Sequence, residues 1–173
     1  LVSNLPYAVA ATIVLDYFER VPSLQSQTIM VQAEVADRMC AQIGSKNYCA
    51  YTVKLGLLSR YVGRFPVSEG NFFPPPRVKS AVIRLDRRDD IVDDELLHAT
   101  MTMADASFAN RRKTISNSIK SYFSNSQTRD EAILEAIPDL LARAGVDAKS
   151  RGESLDQGQF LELGRAYLSL KGK

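Results

Sequence analysis

The chain has 173 residues, 45% hydrophobic and 24% charged, with a formal net charge of +2, which suits a globular protein holding one domain, or a partial domain and a small second one. It has no apolar run near the roughly 18 residues of a membrane span, no visible signal peptide, and two cysteines, Cys40 and Cys49, without metal-ligand spacing. With His98 as the single histidine, in a polar stretch, a His-based triad or His-rich metal site has little to work with, and the expectation is no metal, no membrane and a reducing cytoplasm.

The distribution of charge says more than its sum. Residues 1–88 carry eleven Lys/Arg against six Asp/Glu, and residues 105–129 five against one. Between them lie Asp89, Asp90, Asp93, Asp94 and Glu95 without a base. This pattern reads as solvated surface charge, or as two basic surfaces facing one polyanion.

The chain opens with Leu1-Val2, the possible end of a strand, and reaches Asn4-Leu5-Pro6-Tyr7 at once, as if starting inside a domain. Residues 8–20 have the period of a helix with Val9, Ile13, Tyr17 and Phe18 on one side, stopped by Pro22. Gln27–Gln32 is a short apolar run suited to a buried strand. Glu34–Gln42 is helical until Gly44-Ser45 breaks it. Residues 48–60 predict another helix, with Val53, Leu57 and Tyr61 in register. Residues 61–68 and 79–86 predict strands, joined through Phe72–Pro76. Val82 and Leu85 do not alternate strictly, which suggests a strand covered on both faces. The acidic stretch 89–95 then marks a boundary, dividing the chain into 1–88 and 89–173. Beyond it only helical patterns follow, at 94–109, 113–124, 130–144 and 156–170. Pro138 interrupts or begins one of them, Gly145 caps its end, and Ser154 to Gln157 reads as a capping box. The fold class is α/β followed by a small all-α domain, with too few strands for a complete doubly wound sheet.

The tetrapeptide Asn4–Tyr7 lies between a strand end and a helix, the edge at which open α/β sheets bind ligands. Taken alone, it reads first as a turn into a helix, since proline is common in a first helical turn. It also suits one specific chemistry. An exocyclic amino group on a base is a poor nucleophile because its lone pair is conjugated into the ring. Acceptors aimed at its two N–H bonds would release that pair. Asn4 offers a side-chain carbonyl. Leu5, before proline, is held extended, so its carbonyl can face a cleft. Pro6 brings no competing N–H, and Tyr7 offers a ring on which a base can stack. The second element is Phe72-Phe73-Pro74-Pro75-Pro76-Arg77-Val78-Lys79-Ser80. Its prolines stiffen the loop, so Phe72 can serve as an opposite wall while Arg77 and Lys79 meet phosphates. A polyproline-type connector with buried phenylalanines fits equally well.

Together, Asn4-Leu5-Pro6-Tyr7, Met30-Val31-Gln32-x-Glu34-Val35-Ala36-x-Arg38, Gly44-Ser45-Lys46-x-Tyr48, Phe72-x-Pro74-x-Pro76-x-Val78-x-Ser80 and Phe108-Ala109-x-Arg111-Arg112-Lys113-Thr114 resemble the ribosomal RNA small-subunit adenine N6,N6-dimethyltransferase family, over its C-terminal two-thirds. The resemblance implies the C-terminal part of a Rossmann-like S-adenosylmethionine-dependent methyltransferase sheet, then a helical rRNA-binding domain. It implies dimethylation of two adjacent adenosines near the 3′ end of small-subunit rRNA, in the immature small ribosomal subunit. By resemblance, Asn4 touches both the methyl donor and the target amine. Leu5 and Pro6 line the amine site, Tyr7 stacks, and Phe72 faces it. Arg77, Lys79, Arg111, Arg112, Lys113 and Lys120 contact RNA phosphates. The family's donor-binding glycine loop and acidic ribose partner fall before Leu1, and none of the nine glycines forms a Gly-x-Gly. Residues 1–173 alone are therefore expected to lack the main donor-binding segment and to be inactive. Ala8, Ala10 and Cys49 depart from the usual pattern and bear on packing. The large-subunit, macrolide-resistance branch is disfavoured by Leu5 and the long helical tail. A non-catalytic RNA-binding paralogue is disfavoured by the intact Asn4–Tyr7.

Overall fold

The computed structural model describes residues 1–74 and 78–172. By internal contacts it divides into a sheet unit, Leu1–Ala41 with Leu55–Asp90, and a helical unit, Gln42–Lys54 with Ile91–Lys173. This division falls within the acidic stretch and assigns residues 42–54 to the helical unit.

The sheet unit contains β1 (Val2–Asn4), α1 (Ala10–Arg20), β2 (Ser26–Gln32), α2 (Ala33–Met39), β3 (Ser59–Val67) and β4 (Ser80–Arg87). The sheet order is β1-β2-β4-β3. β1 and β2 run parallel, with Asn4 opposite Met30, and α1 makes the crossover that parallel strands require. β4 is antiparallel to both its neighbours, pairing Ile83 with Ile29 and Val82 with Phe65. Pleating sends Gln27, Ile29 and Val31 of β2 and Ala81, Ile83 and Leu85 of β4 to one face, where all are buried. α1 lies on this face, where Val14's carbonyl accepts a bond from Gln27 Nε2 at 2.8 Å. The alternation in β4 therefore holds from Ala81 to Leu85, with Ser80 buried as well. Val82 belongs to the opposite face with Thr28, Met30 and the exposed Phe65, so the expected double covering is not what distinguishes this strand.

Several element boundaries move. α1 starts at Ala10 and buries Ala10, Val14 and Phe18, whereas Val9 and Tyr17 are exposed. The sequence carries two adjacent stripes at i, i+4 spacing, and only packing distinguishes them. α2 ends at Met39, before the expected Gln42. A third helix, α3 (Ala50–Leu58), passes directly into β3 at Ser59, so Tyr61 is on a strand and exposed. Arg87 closes the end of α1. It donates to the carbonyls of Phe18, Val21 and Leu24 at 2.5, 2.9 and 2.8 Å and lies over the Phe18 ring, supplying partners that a helix end lacks.

The helical unit packs α4 (Asp94–Phe108), α5 (Ile115–Phe123), α6 (Glu131–Arg143) and α7 (Gln157–Lys171). Its core includes Met103, Ile119, Ile133, Leu140, Phe160 and Leu163. Much of the acidic stretch serves local ends: Asp93 caps α4 through Leu96 N at 2.9 Å, and Asp94 and Glu95 sit in its first turn, where negative charge suits the helix dipole. Pro138 lies inside α6. Gly145 ends that helix with φ +64°. Its N–H bonds Ala142 and that of Val146 bonds Leu141, which makes a Schellman motif. The capping box of α7 is Asp156 with Gln159, not Ser154 with Gln157. Ser154 falls in a short 3-10 turn, and the aspartate two residues later takes the role.

Candidate active site

The carboxyl ends of the parallel strands β1 and β2 place Asn4 at the edge where such sheets bind ligands. The chain leaves the ladder after Asn4. Leu5 anchors the departure with a buried side chain, and the turn closes where Val9 N donates to Pro6's carbonyl at 3.1 Å. That bond occupies the Pro6 carbonyl. The Leu5 carbonyl and the Asn4 side chain have no hydrogen-bond partner among the described residues, and Asn4 is exposed.

Asn4, Leu5, Pro6 and Tyr7 line a cleft of about 490 Å³ with Phe72, Phe73 and Pro74. The two segments that the sequence singles out, some 65 residues apart, therefore share one cavity. Phe72 is half-buried and Phe73 fully exposed. Tyr7 is half-buried, and its hydroxyl shares a hydrogen bond with Ser80 Oγ at 2.5 Å. Sequence reasoning missed Ser80 as a partner of Tyr7. It stood only as the last letter of the second motif, and the sequence gives no sign of a contact across 73 residues.

Lys79 is exposed and lines a neighbouring cleft of about 390 Å³ with Arg64, Ser68, Glu69 and Ser80. There Arg64 is ion-paired with Asp37, whose hydrogen bond raises the guanidinium's pKa further. Arg77 lies outside the described residues.

In the helical unit the basic run occupies the turn before α5, not its first turn. Arg111 is engaged within the fold, with Nε to Glu153 at 2.9 Å and Nη2 to the Ser45 carbonyl at 3.0 Å. Arg112, Lys113 and Lys120 are exposed and have no ion-pair partner among the described residues. Thr114 caps α5 next to Arg112 and Lys113, and its first turn holds no acidic residue, whereas Lys120 lies in the last turn. Positive side chains at the positive end of a helix repel it slightly, and a phosphate there would relieve both. Among the described residues no cluster of His, Cys, Asp or Glu could hold a metal, and no helix is long and apolar enough to cross a membrane.

The fold is that of the later part of a Rossmann-like α/β sheet followed by a helical unit. The chain resembles the crystal structure of a dimethyladenosine transferase from Plasmodium falciparum with a TM-score of 0.79 and 20% identity, covering 98% of this chain and 66% of that one. It also resembles the 23S rRNA methyltransferase ErmE with a TM-score of 0.62 and 23% identity, covering 95% and 63%. The family model for ribosomal RNA adenine dimethylase matches residues 1–161. The chain belongs to that family. It is 36% identical to ribosomal RNA small subunit methyltransferase A of Rhodococcus opacus over 96% of this chain and 55% of the relative. It is 39% identical to the protein of that name from Acidothermus cellulolyticus, over 96% and 54%. The chain thus spans about half the length of these curated relatives.

Proposed function

We propose that the protein carrying this chain transfers methyl groups from S-adenosylmethionine to N6 of two adjacent adenosines near the 3′ end of small-subunit rRNA, in the cytoplasm, on the immature small subunit. The observation that carries this is the shared cleft of Asn4–Tyr7 and Phe72. A flipped adenine enters between the rings of Tyr7 and Phe72. Its amino group meets the Asn4 side-chain carbonyl and the Leu5 backbone carbonyl, the two acceptors the turn leaves free. Holding both N–H bonds draws the nitrogen lone pair out of conjugation, toward the methyl carbon. Pro6 shapes the turn, and its own carbonyl is taken by Val9.

S-adenosylmethionine supplies an electrophilic methyl on a sulfonium and leaves as a neutral thioether, so no strong general base is needed. Asn4, exposed at the strand end, is the residue of this chain that fits the donor's reactive end. No Gly-x-Gly is available among residues 1–173 to cradle the rest of it. On this reading residues 1–88 are the C-terminal part of the catalytic domain and residues 89–173 an rRNA-binding domain. Arg77, Lys79, Arg112, Lys113 and Lys120 contact phosphates. Arg111, already paired with Glu153, orders the turn that presents its neighbours.

Asn4→Ala tests the assignment. Loss of one positioned polar group raises the barrier by about 3 kcal/mol, so single-turnover methylation of immature small subunits slows on the order of a hundredfold while subunit binding is kept. A variant within about threefold of wild type would exclude Asn4 from the chemistry.

A further inference from the structure

Tyr7 stands on the turn between β1 and α1, outside the strand ladder, where Val9 N donates to the Pro6 carbonyl. Ser80 is placed in the opposite way. It is the first residue of β4, an interior strand, opposite both Gln32 of β2 and Val67 of β3, and it is 2% exposed. The two hydroxyls meet at 2.5 Å, and neither has another partner among the described residues. The bond therefore joins a loosely supported side chain to one of the best-supported points in the sheet unit.

A tyrosine ring turns about two side-chain torsions. A hydrogen bond at its para oxygen, the atom furthest from the backbone, restrains both. We propose that Ser80 is a positioning residue: its hydroxyl, fixed by the sheet, sets the plane of the Tyr7 ring opposite Phe72. The proposal rests on the reading of the cleft as an adenine slot. It also gives the second segment a double task, because the stretch that begins by presenting Phe72 ends at the residue that orients Tyr7. A buried hydroxyl costs free energy unless it is bonded, and an apolar residue would fill the same place at the head of β4 without that demand. Tyr7 is the only partner that Ser80's hydroxyl has among the described residues.

The test removes the bond from each side. Tyr7→Phe deletes it and keeps the ring, whereas Ser80→Ala deletes it and keeps Tyr7. In steady-state methylation of immature small subunits by the protein carrying this chain, each variant is expected to lower kcat about fivefold, the size of one net hydrogen bond. KM for the subunit should not change. The double variant should be no slower than either single one, since both remove the same bond. Ser80→Thr, which keeps a hydroxyl there, should recover most of the rate. Wild-type kcat in Tyr7→Phe, or losses that multiply in the double variant, would overturn the proposal. Tyr7→Ala separates the two readings. Wild-type kcat in Tyr7→Ala means the adenine slot itself is misplaced. A collapse in Tyr7→Ala with Tyr7→Phe and Ser80→Ala unaffected leaves the slot standing and removes Ser80's role.

Discussion

Phe72 and Tyr7 face the same cleft but are held differently, Tyr7 by a hydrogen bond to the sheet and Phe72 after a short 3-10 turn, its N–H bonded to the Glu69 carbonyl at 3.2 Å. A ring that only stacks on the reacting base acts after the RNA has bound. Phe72→Ala is therefore expected to cut methylation by the equivalent of about 1–3 kcal/mol while leaving subunit affinity, which comes mostly from phosphates, nearly intact. Parallel titration and single-turnover assays check this, and equal losses in both would make Phe72 a packing residue. In the helical unit Tyr48 is buried, donates to the Leu155 carbonyl at 3.0 Å, and packs edge-on to Phe108. Burial, with Asp156 nearby, pushes its hydroxyl up to about 12 from an ordinary 10. A raised folded-state value means its contribution is complete below pH 10 and lost as pH rises toward 12. Tyr48→Phe should lower stability at neutral pH by about 1 kcal/mol and flatten the fall between pH 10 and 12 in denaturant titrations. An unchanged alkaline slope would assign that sensitivity elsewhere. At this scale Asn4–Tyr7 stood out only beside the other motifs, since the tetrapeptide alone reads first as a turn into a helix, and the structure brings it to one cleft with Phe72. The Ser80 partner of Tyr7 and the Glu153 clamp on Arg111 were not legible, because each is a contact between distant residues that no local pattern encodes.

At the scale of elements, the periodicities placed all four main helices after residue 93 and the three longer strands. They failed at the ends and in choosing faces. α1 shows why: both its stripes are apolar, and only packing distinguishes them, burying Ala10, Val14 and Phe18. The start of α7 shows it again, with a serine and an aspartate both able to cap and only the aspartate positioned to do so. The packing of α4 on α7 depends on a residue that hydropathy does not single out. A Cβ added at Gly164 would lie 2.3 Å from Thr100 Oγ1 and 3.0 Å from Thr100 N. Thr100 cannot yield easily, being fully buried with its hydroxyl bonded to Leu96's carbonyl at 2.7 Å. Gly164→Ala should therefore destabilise the helical unit by about 2 kcal/mol despite its higher helix propensity. A urea midpoint equal to or above that of wild type would show that the two helices have slack.

At the scale of the whole molecule, the order α/β then all-α was readable because the period of the apolar residues changes at an acidic stretch whose carboxylates cap α4 and pair with neighbouring arginines. The grouping of residues 42–54 with the helical unit was not readable. It depends on Tyr48, Gly44 and Ser45 meeting Leu155, Glu153 and Arg111. Each unit carries one part of the proposed work: the sheet unit holds the adenine slot and Lys79, and the helical unit holds Arg112, Lys113 and Lys120. On the proposed function these residues suit a substrate with a flipped adenine and a phosphate backbone, such as rRNA. The direct test is to incubate undermethylated small subunits with the protein carrying this chain and S-adenosylmethionine, and to map the modified nucleosides by mass spectrometry of RNA fragments. The predicted result is N6,N6-dimethyladenosine at two adjacent positions near the 3′ end of the small-subunit RNA, whereas modification confined to large-subunit RNA, or stopping at one monomethylated adenosine, would contradict it.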